Sequence, residues 1–447
     1  MTPPAQFLSW FGIVRLGLVQ TSLGAVVVLT TSTLNRVMVI ELALPAMIPG
    51  LLVGLHYALQ VFRPRLGYGS DLGGRRTSWI IGGMAVLAGG GTLAAVATAI
   101  MATQFAAGIL LAIIAFLMIG IGVGAAGTSL LVLLAKRTEP ARKSAAASIA
   151  WIMMIAGFIV TTAVAGRALD PFSGERLVAV SATVSMVAMV LTMLGVWGIE
   201  GKALPDREDF ARRTPARSSF RTDFGDIWRE PRSRRFAIFI FVSMLAYSAQ
   251  DLILEPFAGS VFEMTPGQTT QLSSMQHVGA LIGMILVPIL GSLRPAWRTR
   301  PERWIVGGCL ASAFALLNLA LAAAFGPGWP LRASVLALGI TNGIYAIAAI
   351  GAMMNMVGEG QRDREGTRMG LWGASQAISF GIGGFLGTAA IDGARHLLPS
   401  ASLSYAAVFA AEAGLFVIAA YLAIWIGKPL SESKTMQPTA LATNQGV

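Results

Sequence analysis

Long apolar stretches run along most of this chain, separated by short polar breaks that carry nearly all of its charge. About 20 apolar residues in a helix cover the ~30 Å hydrocarbon core of a bilayer. Twelve such runs are predicted, near 17–37, 41–62, 78–101, 106–135, 145–166, 177–199, 236–259, 271–291, 304–325, 331–357, 369–391 and 402–426. Ahead of them, Phe7, Leu8, Phe11 and Val14 recur at helical spacing beside Trp10 and Arg15, after Pro3 and Pro4. That pattern predicts a short interfacial helix within residues 1–16. Residues 200–234 form the one extended polar segment, rich in Arg, Asp, Glu and Pro, and read as a linker with basic residues against anionic lipid. The expected organisation is a bundle over 1–199, a linker over 200–234, a second bundle over 235–428, and a disordered tail over 429–447.

The two bundles echo one another. Trp79-Ile80-Ile81-Gly82-Gly83-Met84 returns as Trp304-Ile305-Val306-Gly307-Gly308-Cys309, and Gly120-Ile121 with Gly124 returns as Gly339-Ile340 with Gly343. Trp151 and Asp170 around the fifth run are matched by Trp372 and Asp392 around the eleventh. Matches in one order at nearly one displacement imply an internal duplication. The fold class expected is an all-α membrane protein with twelve transmembrane helices in two pseudo-symmetric six-helix bundles.

Composition agrees. Of 447 residues, 55% are hydrophobic and only 12% charged, with a mean hydropathy of +0.68, whereas soluble domains are about 25% charged. The alternating strands of an outer-membrane barrel are absent. Basic residues explain the net charge of +11 without nucleic acid: 28 of the 33 fall in breaks on one side. Arg36, Arg167, Arg176, Arg332 and Arg395 fall on the other. The bias predicts cytoplasmic termini and a cytoplasmic linker. A lone cysteine, Cys309, rules out an internal disulfide framework or a Cys-rich metal site. The N-terminus shows neither a basic leader region nor a cleavage site, so the first apolar segment is expected to be retained.

The break after the second span reads RPRLGYGSDLGGRRTSW, from Arg63 to Trp79. Gly67 permits close approach of two helices, and Asp71 stands where the first turn of the next helix would begin. After Gly74, Arg75 and Arg76 can pair with Asp71 or rest at the headgroups. The plainer alternative is a turn with ordinary topological arginines. This spacing resembles the loop between the second and third helices of the major facilitator superfamily. The corresponding loop of the second half keeps Gly291 and several arginines but has no counterpart of Asp71, so a charge latch there is expected to be weaker.

Ionisable groups inside a membrane are costly and are therefore candidates for function. The seventh span carries Gln250, Asp251, Glu255 and Pro256, with the two acids four residues apart on one helical face. They suit either a ligand or partner contact at the outer mouth or interfacial solvation of a Pro-terminated helix. Glu412 lies midway along the last span and is expected to face the bundle interior and find a donor. The first span has no charge between Arg15 and Arg36, and the fourth none between Gln104 and Lys136. Resemblance to the superfamily would place substrate- or proton-binding charges in those helices, so the usual machinery for alternating access is expected to be lacking. Met153, Met154, Met353, Met354 and Met356 suit ordinary packing better than an adaptable binding surface.

Two longer stretches narrow the resemblance: GLHYALQVFRPRLGYGSDLGGRRTSWIIGG, from Gly54 to Gly83, and SAQDLILEPFAGSVFEMTPGQTTQL, from Ser248 to Leu272. They resemble the PucC/LhaA proteins of phototrophic bacteria, the bacteriochlorophyll-delivery branch of the superfamily. The resemblance implies an assembly factor for light-harvesting complexes in the bacterial inner (cytoplasmic or intracytoplasmic) membrane. Its expected cargo is bacteriochlorophyll. Its expected partners are antenna polypeptides, with the reaction-centre core as a further candidate, and membrane lipid. No nucleic acid, nucleotide or free metal is expected. His56 with Tyr57, and His277 with Gln276, are chemical candidates for the pigment, because neutral imidazole can ligate magnesium in a chlorin ring. The alternative for each histidine is a hydrogen bond to a neighbouring helix. A greasy groove between helices is expected to hold the pigment, and Gly381, Gly383, Gly384 and Gly387 to admit partner helices from the lipid. An enzyme is not expected. The competing class is a secondary transporter or flippase of an amphipathic small molecule.

Overall fold

A computed structural model describes residues 7–62, 76–139, 142–200, 228–293, 301–358 and 365–427. The expected linker (201–227), the tail beyond Gly427, and Arg63, Gly67, Asp71, Gly74 and Arg75 of the loop motif lie outside the described residues.

Among the described residues twelve helices follow one another: α1 Trp10–Glu41, α2 Met47–Leu59, α3 Arg76–Met101, α4 Phe105–Arg137, α5 Lys143–Ala168 and α6 Gly174–Val196. The second half holds α7 Pro231–Val261, α8 Pro266–Leu293, α9 Pro301–Phe325, α10 Leu331–Gly358, α11 Glu365–Leu397 and α12 Ala401–Gly427. Eleven are long and apolar enough to span a bilayer, and α2 is a shorter apolar helix followed by the turn Gln60–Phe62. Residues 10–16, expected at the interface, are instead the first two turns of α1. Ser9 caps that helix by accepting from the Gly12 amide at 3.2 Å, and the chain runs on helically to Glu41. A Ser at the N-cap satisfies an amide that would otherwise be orphaned, so the helix starts there.

The duplication read from the sequence is visible in which helices touch. Within the first half α1 packs on α5 and α6, α3 on α4 and α6, and α2 on α4. Within the second half α7 packs on α11 and α12, α9 on α10 and α12, and α8 on α10. The repeated glycines make the same close approach. A Cβ on Gly120 would run into the His56 carbonyl of α2, and one on Gly339 into the Gln276 carbonyl of α8. Each half has its own apolar core, and Leu252 is the residue of the second half that joins the core of the first. The halves meet along α2 with α11 and α5 with α8. This is the major facilitator arrangement.

The start of α1 and the end of α12 lie on one face of the bundle, here the terminal face, and polar groups tie the first half together there. Arg15 donates to the carbonyls of Leu194 (2.9 Å) and Trp197 (2.5 Å). Arg137 donates to those of Ile199 (3.0 Å) and Glu200 (2.7 Å). The Glu200 carboxylate accepts from the amides of Arg76 (2.8 Å) and Thr77 (2.9 Å), the first two of α3. The anion favoured at a helix N-terminus, expected from Asp71, is supplied at Arg76 by Glu200, four residues beyond the end of α6.

Candidate functional site

The polar residues that decide what this bundle can do lie where α1 crosses α7 and α8. Pro256 stands inside α7. Proline has no N–H, so the carbonyl four residues earlier loses its helical partner. That carbonyl belongs to Leu252, and Asn35 of the opposite half donates its Nδ2 to it at 2.5 Å. Two π-helical segments, Leu29–Thr33 and Val37–Glu41, flank Asn35 and Arg36 in α1. Each widens a turn and rotates the residues beyond it about the helix axis. The result presents Thr33 to Thr270 of α8 at 3.0 Å, Asn35 to Leu252, and Arg36 to the Met264 carbonyl at 2.7 Å.

Arg36 therefore is not a residue of an outer loop. It is 2% exposed, pairs with Glu41, and lies across Gly259, where a side chain would crowd its guanidinium. Glu255 is 1% exposed, one turn before Gly259, and does not line an outer mouth. It accepts from Ser273 (2.5 Å) and Thr269 (3.3 Å), so it clamps α7 to α8. Asp251, on the same face, accepts from Gln276 of α8 at 3.3 Å. The interior thus contains Arg36, Glu255 and Glu412, each buried. Glu412 finds no donor: both of its carboxylate oxygens lack a hydrogen-bond partner.

Beyond this crossing, two aspartates close the face opposite the termini. Asp392, at the end of α11, accepts from the amides of Ala46 (2.9 Å) and Met47 (2.7 Å) at the start of α2. Asp170, after α5, accepts from Thr265 Oγ1 at 2.8 Å and sits against Gly267 at the start of α8. The pair matched in the sequence as repeat partners is thus a symmetric pair of latches. Each reaches from the fifth helix of one half to the second helix of the other.

Between the halves, Thr31, Tyr57, Ser248, Asp251, Phe380 and Gly384 help line the best-formed cavity among the described residues, about 30 Å³ in volume. A cavity of that size holds about one water, while drug-sized ligands need roughly 300 Å³ or more. This cavity is therefore too small for the pigment expected between the helices. Nor is the glycine stripe of α11 open to a partner. Gly381 faces Tyr57 and Gly54, Gly383 faces Ser248 and Leu245, Gly384 faces Leu252, and Gly387 faces Ala249, so α2 and α7 fill it.

The histidines divide. His56 is 1% exposed, its Nε2 3.0 Å from Gln60, with its ring edge-on to Tyr57. His277 is half-buried, bonded through Nδ1 to the Ser273 carbonyl at 2.7 Å and edge-on to Phe158 of α5. Gln276 is committed to Asp251, and Met153 and Met154 pack α5 onto α1 at Gly17 and Gln20. The side chains of Met353, Met354 and Met356 lie outside the described residues. Sequence reasoning missed Asn35, Arg36 and Glu200. The signal for Asn35 was the proline four residues after Leu252, which announces a carbonyl in want of a donor.

Comparison with known proteins places this geometry. The family model described as PUCC protein matches residues 33–430. The "Bacteriochlorophyll synthase 44.5 kDa chain" of Rhodobacter capsulatus is 50% identical over 442 residues, covering 97% of this chain and 99% of that relative. The "Protein PucC" of Cereibacter sphaeroides is 28% identical over 428 residues, covering 91% and 90%. Among solved structures, the nucleoside transporter NupG (D323A mutant) superposes with a TM-score of 0.65 at 18% identity, over 94% of this chain and 99% of that one. At that identity the likeness speaks for the fold alone. With the match spanning the α1–α7 crossing, both aspartate latches and nearly all of both bundles, the chain belongs to the PUCC protein family.

Proposed function

We propose that this protein is an assembly factor for bacterial light-harvesting complexes, binding bacteriochlorophyll and delivering it to antenna polypeptides in the photosynthetic inner membrane. The observation that carries the reading is the family match across residues 33–430. The relative named for bacteriochlorophyll, 50% identical over almost the whole chain, supports it. Delivery in this reading is binding and release without covalent chemistry. The two acids of α7, Asp251 and Glu255, are engaged in helix contacts, through Gln276, Thr269 and Ser273.

The cavity lined by Tyr57, Asp251 and Phe380 holds about one water, so the cargo is assigned to a lipid-facing flank rather than to that cavity. His277 fits that role better than His56, because it is half-buried where His56 is fully buried, and its Nδ1 is already bonded to Ser273. With Nδ1–H donated there, Nε2 keeps the lone pair that magnesium would take. The bias of basic residues puts the terminal face in the cytoplasm. The test is purification from the native membrane in mild detergent, with an absorption spectrum and identification of co-eluting peptides. Chlorin absorbance that falls in His277→Ala but not in His56→Ala supports the reading. Protein devoid of both pigment and antenna peptides overturns it.

One finding favours a second reading, transport of an amphipathic small molecule. Arg36, Asp251 and Glu255 line the crossing of the halves, where a moving facilitator would read its substrate. Counterflow of labelled substrate in liposomes separates this reading from assembly.

A further inference from the structure

The second half holds a cluster of buried polar groups that neither the cargo reading nor the latches use. Its position is set by one well-defined layer. Tyr345 of α10 donates to Ser243 of α7 at 2.7 Å, meets Phe416 of α12 edge-on at 5.9 Å, and presses its backbone on Gly308 of α9, next to Cys309. Residues three or four apart share a helix face. One turn from this layer toward the opposite face, the same faces carry Asn342 on α10, Glu412 on α12 and Ser312 on α9, and Gln250 lies two turns from Ser243 on α7.

All four are 0–3% exposed. Both carboxylate oxygens of Glu412, both amide atoms of Gln250 and of Asn342, and the Ser312 hydroxyl lack a hydrogen-bond partner. Buried polar groups are ordinarily paired, so a run of orphans in one layer marks a place for a ligand or internal water. The charges around it tell which. Asp251 is the ionisable group that acts on Glu412 electrostatically, and it is itself an acid. Among the described residues Tyr247 of α7 interacts with Asp251 and with Tyr345 of α10, and Cys309 of α9 acts on Tyr345. Among the described side chains of α11, Arg395 is held on Tyr405, seven residues or about 10 Å along α12 from Glu412. Arg36 is held by Glu41 and Met264, beside Glu255. An ionised carboxylate in such a place would be uncompensated, and an uncompensated charge inside a membrane is among the costliest arrangements known.

We propose that Glu412, surrounded by Gln250, Ser312 and Asn342, is a buried proton site. Its carboxyl is held neutral, internal water bridges the orphaned amides and hydroxyl, and the proton exchanges through Asp251 with the cavity between the halves. Asp251 lines the cavity, and it is the acid that acts on Glu412 electrostatically. The step balances simply: a proton leaves Glu412 for water in the cluster, passes to the Asp251 carboxylate, and leaves for water in the cavity. This site would let the packing of the second half respond to pH whatever cargo the protein carries.

Infrared spectroscopy of the full chain in lipid bilayers tests it. At neutral pH the protein should show the carbonyl stretch of a neutral carboxylic acid that shifts on carboxyl-¹³C glutamate labelling and is lost in Glu412→Gln. Asp251→Asn should move the pH at which that band disappears. Should Glu412→Gln not fold, Glu412→Asp supplies the same answer: the band should then follow ¹³C-aspartate instead. A wild-type spectrum without the band, or a band that survives Glu412→Gln unchanged, overturns the proposal. So does loss of the band on adding sodium at constant pH, which would make the ligand a metal cation.

Discussion

Replacing Asn35 with alanine isolates the contact between Asn35 and the carbonyl that Pro256 leaves free. Hydrogen bonds between membrane helices are worth about 0.6 kcal/mol on average and about 1.7 at most, because a group that loses its partner usually finds another. Leu252 has none to find. It is 3% exposed, and the residue four positions on is a proline. Asn35→Ala should therefore cost close to the upper limit, about 1.5 kcal/mol, or roughly a tenfold loss in the folded ratio. Part of that loss is offset, because the alanine also removes the Asn35 Oδ1, itself without a partner. The decisive measurement is a double-mutant cycle. Pro256→Ala restores an N–H within reach of Leu252, so in its presence the Asn35→Ala penalty should shrink by about 1 kcal/mol. Denaturant or thermal unfolding of the detergent-solubilised protein reads all four corners. Additivity within about 0.5 kcal/mol would refute the reasoning, because the proline and the asparagine would then act independently.

The aspartate latches yield a second expectation. Asp392→Asn and Asp170→Asn together should loosen the opposite face, raising maleimide labelling of a cysteine placed there, as in Ala46→Cys. Cys309 is fully buried and gives little background. Unchanged labelling would show that the latches do not hold the face shut. Glu200→Gln should lower the melting temperature, since it replaces the anion that accepts two amides at the start of α3, at a cost of about 1 kcal/mol. Gly387→Val should cost about 1–3 kcal/mol, because its side chain would press on Ala249. The reverse outcome, tolerance of valine with loss of antenna peptides on co-purification, would return that stripe to a partner-docking role.

The twelve-helix architecture, its division into halves and the pairing of repeats were legible because lipid imposes a simple rule. A backbone in hydrocarbon must satisfy itself as helix, so apolar run length reports the fold directly. The match of Asp170 with Asp392 was legible as well, although its meaning was not: sequence showed a repeat, and the structure showed two latches crossing between halves. Other features depended on depth and direction, which residue order does not carry. Arg36 stood at the end of an apolar run and read as a loop residue. Two π-helical segments lengthened and turned α1, so that Arg36 came to lie inside the protein, against α7. The acids of α7 read as a pair at an outer mouth. The face they share is covered by α8, and their hydrogen bonds diverge to Ser273 and Gln276.

By itself, then, the sequence determined what the bilayer dictates: how many helices, which halves, and which family, the last through motifs such as QDLILEP at 250–256. Tertiary structure decided which polar atoms meet, because partners such as Asn35 and Leu252 lie more than 200 residues apart and are joined only when two bundles close on one another. It also decided how small the cavity lined by Tyr57, Asp251 and Phe380 is. Room for a ligand is a property of how side chains from several helices interlock, and no single helix's pattern records it.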